Sequence, residues 1–194
     1  MNDCTVQIVK QALPYESQLD ERPLKQVELL VVHCTELPDL ATARSYGEKI
    51  HYASGTGNSG HYYIDRDGQT YEWIKAEKIA HHVRGHNQQS IGIELVNSGR
   101  FPDWHHSAHQ QPEENYSDEQ IDALIELIIY LHSNIPSLKH IAGHEDLDSS
   151  LIPASDDPNK QVRRKIDPGP LFPWQHVMKN IQLINIGSIA KKYE

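Results

Sequence analysis

The chain has 194 residues, 38% of them hydrophobic and 23% charged, with a formal net charge of −9, which is enough for one good hydrophobic core. No apolar run reaches the roughly 18 residues of a membrane-spanning helix. Lys and Arg are scattered, except at Arg163, Arg164 and Lys165, so they lay down no track for nucleic-acid phosphates.

The opening segment, MNDCTVQIVKQALPYESQLDE, carries neither a basic n-region nor an apolar h-region. A cytoplasmic location is therefore expected, with a periplasmic or exported one left open. Residues 27–33, VELLVVH, form an apolar run that reads as a buried strand ending at His33. After Pro38, the segment from Leu40 to about His51 reads as a helix, and the glycine-rich 54–60 must be loop. In HYYIDRDGQTYEWI, residues 61–74, Asp67-Gly68 between aromatic and β-branched stretches signals a hairpin. SIGIELV, residues 90–96, reads as a second buried strand with Glu94 as its one charge. A loop of His, Gln, Pro and Asn follows over roughly 98–116.

Ser117 opens the strongest helix, with Gln120 completing a capping box and Ile121, Leu124, Ile125, Ile128 and Leu131 forming one apolar stripe. After Pro136, HIAGHED supplies a short strand leading out to His144. The polar stretch 148–164, with Pro153 and Pro158, reads as a long loop, and a terminal helix can begin at Pro173. Strands alternating with helices, plus one hairpin, predict the α/β class. The two cysteines, Cys4 and Cys34, make no disulfide framework and read as reduced thiols.

Among the 13 histidines, position has to separate ligands from surface residues. His33 and His144 each close a strand, and Asp167 precedes a proline. Catalytic zinc takes three such ligands and leaves a fourth position open. Their spacing matches no compact metal motif, and histidines that merely pack or cap remain the alternative. Glu94 inside an apolar run is costly unless it is paired, hydrogen-bonded or functional. Facing a metal site, it would move protons; the other reading turns it outward or pairs it with an arginine. Lys165, two residues before Asp167, points to the same side of an extended segment. There it would face an oxyanion, or it is simply a solvated member of the basic run.

In chain order, VVHCTE (31–36), SIGIEL (90–95), GHED (143–146) and KIDPGPLFPW (165–174) resemble the zinc-dependent N-acetylmuramoyl-L-alanine amidases of the type-2 family, AmpD-like branch. The resemblance covers roughly residues 25–178. It implies one amidase domain over 1–194, with a mixed central β-sheet flanked by α-helices and residues 148–164 as an inserted loop that could wall the cleft. It also implies one Zn2+ held by His33, His144 and Asp167, with Glu94 and Lys165 catalytic and His61 and His82 binding substrate. The expected partners are peptidoglycan fragments or anhydro-muropeptides, with no nucleic acid and no membrane span. Phage-lysozyme relatives carry a catalytic tyrosine where Gly60 stands here, which favours Glu94 as the base. Peptidoglycan-recognition proteins that lack the zinc set bind without cutting, so a non-catalytic module is the alternative; the ligand trio is complete here. A papain-like use of Cys34 finds no matching signature.

Overall fold

A computed structural model describes residues 6–187, so Cys4 lies outside the described residues. A seven-stranded sheet organises the chain. In spatial order its strands are β1 (Ile8–Lys10), β4 (Thr70–Glu72), β3 (Tyr62–Ile64), β5 (Ser90–Leu95), β2 (Leu29–Cys34), β6 (His140–Gly143) and β9 (Ile184–Asn185). Only β3 and β4 run antiparallel, as the hairpin expected around Asp67-Gly68, where Gly68 takes φ 83°. The remaining neighbours are parallel. The sheet is therefore mixed, as expected.

Strands β2 and β5 read as apolar runs because both of their faces are covered. Leu30, Val32, Ile91, Ile93, Leu95 and Ile141 point to the face packed by α2 (Asp118–Asn134) and α4 (Trp174–Asn180). Leu29 and Val31 point the other way, against Val83 and Ala142. The next residue of β2 on that second face is His33. Further along the same side, Tyr63 stacks on Trp73 at 3.5 Å between ring centroids, beside Ala43 of α1 (Leu40–Gly47). That helix is capped by Asp39, whose Oδ1 accepts from the Thr42 amide at 2.6 Å. It ends at Gly47 rather than His51.

Helix α2 buries Ile121, Leu124, Leu127, Ile128 and Leu131, leaving Ile125 half-buried at the edge of the stripe. Only half of the expected capping box forms. Ser117 Oγ accepts from the Gln120 amide at 3.1 Å. The Gln120 side chain, however, is buried and donates to the carbonyls of Ile64 and Val96, at 3.0 Å each. Two strand-end carbonyls at the sheet's rim have a stronger claim on a buried amide than a solvated helix start does.

The stretch 148–164 is not a plain loop. It holds an antiparallel ribbon of β7 (Leu151–Pro153) and β8 (Gln161–Arg163). The polar residues and Pro153 hide strands this short, and Pro153 is tolerated on an edge. Between β6 and this ribbon lies the single turn α3 (His144–Leu147). Helix α4 begins at Trp174, with Pro173 just outside it. Among the described residues, no helix is long and apolar enough to cross a membrane.

Gln120→Leu removes both donors and leaves the Ile64 and Val96 carbonyls buried without partners. Urea denaturation is expected to show a loss of about 2 kcal/mol; an unchanged midpoint would mean that other groups satisfy them.

Candidate metal centre

In open sheets with parallel strands, ligands gather beyond the carboxyl ends of those strands. Here β2 lies between β5 and β6, parallel to both. The register sets His33 opposite Glu94 and Val32 opposite Gly143, so His144 leaves β6 level with His33. Glu94 in turn stands opposite Tyr63 of β3.

Hydrogen bonding fixes where the imidazole protons lie. Ser90 Oγ donates to the His86 carbonyl at 2.8 Å, so it accepts from Nε2–H of His82 at 3.1 Å. The bare Nδ1 of His82 then accepts from Nε2–H of His33 at 3.0 Å. Burial pushes the His33 pKa down to about 4, so the ring is neutral and Nε2 carries its only proton. His33 Nδ1 therefore presents a lone pair 3.0 Å from Asp167 Oδ2, and His144 Nδ1 lies 3.1 Å from the same oxygen.

Asp167 is 2% exposed. Burial opposes its ionisation, but His144 and Lys165 beside it hold the carboxyl well below the usual range. A carboxylate and a bare imidazole nitrogen face each other with no proton between them. That arrangement repels unless a cation joins it. Ligand atoms of His33, His144 and Asp167 all lie within 4.8 Å of one another. Asp167 Oδ1 and His144 Nε2 are buried with no hydrogen-bond partner among the described residues. The donor set, two imidazoles and one carboxylate, suits a catalytic metal ion.

A cleft of about 380 Å³ opens over this cluster, lined among others by His33, His82, Glu94, His144, Lys165 and Asp167. Glu94 Oε1 lies 4.0 Å from His33 Nδ1. Burial, and then the charge of Asp167, push its carboxyl up to about 8. His82 can lie over β5 only because residue 92 has no side chain, since a Cβ on Gly92 would meet His82 Nδ1 at 2.6 Å.

His61 is placed differently from the expectation. It is fully buried and is absent from the cleft lining. Its Nδ1 accepts from the Gly92 amide at 3.0 Å and its Nε2 donates to the Lys78 carbonyl at 3.0 Å. A histidine flanked by two backbone partners of this kind fixes a strand edge, and its ring packs edge-on to His82 at 5.5 Å. Its neighbour on the wall is instead His81, which does line the cleft.

Sequence reasoning passed over three participants. Ser90 orients His82, although nothing in SIGIEL marks its serine as more than a strand start. Tyr63 lines the cleft, its Oη 3.1 Å from Ser59 Oγ and accepting from the Gly60 amide at 3.2 Å. Arg100 is 3% exposed and grips Glu36 with Nε–Oε1 at 2.6 Å and Nη2–Oε2 at 2.9 Å. Its remaining donors reach the carbonyls of Arg163 and Arg164, at 2.9 and 3.2 Å, just ahead of Lys165. A buried arginine of this kind needs every donor occupied.

Asp167 reaches the centre from outside the sheet. Its carbonyl accepts from the Glu145 amide at 2.9 Å, and the Pro168 carbonyl accepts from Tyr116 Oη at 2.7 Å. Phe172 and Trp174, ring centroids 4.7 Å apart, bury the following turn in the core. Cys34 also touches the cleft, but burial and the charge of Glu36 raise its thiol well above the usual range. A protonated thiol is a poor nucleophile.

The family model described as N-acetylmuramoyl-L-alanine amidase matches residues 23–170. The N-acetylmuramoyl-L-alanine amidase AmiD of Escherichia coli (strain K12) is 29% identical over 180 residues, spanning 82% of this chain and 57% of AmiD. The chain thus matches little more than half the length of that relative. A solved complex of AmiD with anhydro-N-acetylmuramic acid-L-Ala-D-gamma-Glu-L-Lys superposes with a TM-score of 0.60 at 25% identity, over 80% of this chain and 57% of that one. The fold is also that of an AmpD crystal structure, with a TM-score of 0.63 at 22% identity, 90% of this chain and 94% of that chain being covered. With the match running from before β2 to just past Asp167, the chain belongs to the N-acetylmuramoyl-L-alanine amidase family.

Proposed function

We propose that the protein is a zinc-dependent amidase that cuts between the lactyl group of N-acetylmuramic acid and L-alanine, in peptidoglycan or in anhydro-muropeptides. The observation that carries this reading is the convergence of His33 Nδ1 and His144 Nδ1 on one oxygen of Asp167, beside Glu94. Family membership and the substrate named for the AmiD complex support the choice of bond.

His33, His144 and Asp167 would hold the ion. When bound, zinc supplies Lewis acidity, polarising an amide carbonyl and bringing the pKa of water toward neutrality. The rest of the chemistry belongs to the chain. Glu94 takes the proton of the attacking water and returns it to the alanine nitrogen as the amide breaks. Its buried site, which disfavours the carboxylate, suits a group that must hold a proton between these two events. Lys165, on the cleft wall, sets an ammonium against the oxygen that becomes negative when the carbonyl is attacked. His82 keeps His33 in the tautomer that leaves Nδ1 free, and its own exposed edge meets the substrate. His61 supports this arrangement from behind by holding Gly92.

Glu94→Gln is expected to lower kcat/KM for stem-peptide release by about 10²- to 10⁴-fold while metal content, read by atomic emission, stays at the wild-type level. Wild-type turnover in that variant would remove Glu94 from the mechanism. Zinc added at about a hundred times its Kd should stabilise the wild-type protein by about 2.7 kcal/mol. In Asp167→Ala the same addition should leave the melting curve almost in place; an undiminished shift would put the ion elsewhere.

A further inference from the structure

Lys165 opens a stretch with no support of its own. Among the described residues, neither Lys165 nor Ile166 makes a backbone hydrogen bond, so the ammonium is aimed by whatever holds the chain on either side. Downstream, the Glu145 amide and Tyr116 Oη hold the carbonyls of Asp167 and Pro168. Upstream, the Arg164 amide donates to the Ser150 carbonyl at 3.0 Å. The carbonyls of Arg163 and Arg164, the last two before Lys165, accept from Nη1 and Nη2 of Arg100.

Arg100 is itself pinned. Glu36 takes its Nε and Nη2, and Gln110 Oε1 accepts from Nη1 at 3.1 Å. Arg100 and Glu36 are both buried. Stripping water from two charges offsets most of their attraction, so a pair of this kind is weak evidence for stability and calls for another role. The backbone points the same way. Among the described residues, Glu36 is the one non-glycine residue with a positive φ, 49°. Such a conformation is strained for a residue with a side chain, and strain of this kind collects at functional sites. Room for the side chain comes from Gly99, where a Cβ would meet Glu36 Cγ at 2.7 Å.

Glu36 lies three residues beyond His33, just past the end of β2. The clamp therefore references Lys165 to the strand that carries His33. It does so without the bonds that hold Asp167, and Arg100 is absent from the cleft lining.

We propose that Arg100, held by Glu36, is a positioning residue for the hydrolysis: by fixing the two peptide units ahead of Lys165 it aims that ammonium at the carbonyl under attack. The effect on turnover rests on the amidase reading above; the placement of the chain does not.

Arg100→Lys keeps a cation opposite Glu36 but loses the planar fork that reaches a carboxylate and two carbonyls together. It is expected to lower kcat for stem-peptide release about 10²-fold. KM should stay close to the wild-type value, because Lys165 acts on charge that develops only in the transition state. Zinc content, read by atomic emission, should not change. In a Lys165→Ala background the same substitution should leave kcat almost unmoved, since one residue acts through the other. An equal loss in both backgrounds, or zinc content falling together with kcat, overturns the proposal. Hydrogen exchange reads the clamp without turnover. The Arg164 amide should exchange about tenfold faster in Arg100→Lys while the Glu145 amide keeps its rate; an unmoved Arg164 amide also overturns the proposal. Circular dichroism checks folding, and if Arg100→Lys melts below the assay temperature, Glu36→Met combined with Arg100→Met removes the clamp and leaves neither charge buried alone. A wild-type protein that releases no peptide, with the exchange pattern as expected, would sink the amidase reading and leave the clamp on Lys165 standing.

Discussion

The parallel pairing of β2 with both β5 and β6 is the constraint on which the remaining structure depends. It sets His33 level with Glu94 on one side and brings His144 out of β6 on the other. Side chains alternate with a period of two, so a slip of one residue would send His33 to the face covered by α2 and bring Val32 into the cleft. The apolar residues that pack beneath α2 therefore do more than stabilise the sheet. By having only one face on which they can be buried, they decide which face receives the imidazole and the carboxylate. The same logic explains why Glu94 is tolerable in a strand that is otherwise apolar. Ile91, Ile93 and Leu95 take the core face, and Glu94 falls on the alternate one, where the cleft opens.

This logic also sets what was legible in the sequence. Long apolar runs and strong turn chemistry were readable, and β2, β5, the β3–β4 hairpin and α2 follow from them. The short strands were not. Strand β7 is three residues that end on a proline and β8 is Gln-Val-Arg, too short to show a pattern, and they pair only because the chain doubles back on itself. At the candidate centre, His33, His144 and Asp167 were readable as residues that close rigid elements, and four motifs in order identified the family. The direction of His61 was not readable, because a histidine next to a strand looks alike whether it faces a cleft or a backbone amide. Arg100 was invisible for a related reason. Its partners, Glu36 and the carbonyls of residues 163 and 164, are distant in sequence, and a lone arginine in a polar loop carries no local pattern.

The polar network around the centre is buried, and in such surroundings every group must be satisfied. From Ser90 to His82 to His33 the donors and acceptors match one to one. The chain of matched pairs ends on a nitrogen with a free lone pair, aimed at an anion. Satisfying the outer members of the network thus leaves the inner one unsatisfied, and the mismatch is concentrated at a single point where a cation would relieve it. A second network does the equivalent on the opposite wall, where Arg100 uses Glu36 to neutralise its charge and two backbone carbonyls to complete its hydrogen bonds. It fixes the backbone ahead of Lys165 without using any side chain of the cleft.

The three candidate ligands differ in how they reach the centre, and that difference divides the structural work. His33 stands on β2 and His144 directly follows β6, and these adjacent strands are paired by backbone hydrogen bonds up to Val32 and Gly143. Asp167 comes from a segment 134 positions from His33, tied to the sheet by the Glu145 amide and the Tyr116 hydroxyl. A cation joining all three closes that long loop, and loop closure costs entropy that grows only slowly with length. The sheet ligands gain little order from the ion, since their strands already hold them. The segment running from the β7–β8 ribbon through Lys165 to Asp167 is held instead by its ties to Arg100, Glu145 and Tyr116. That segment also carries Arg164 and Lys165 of the cleft wall. The candidate centre and the cleft are for this reason built together in this fold, because the same short stretch of backbone supplies Asp167 and the wall beside it.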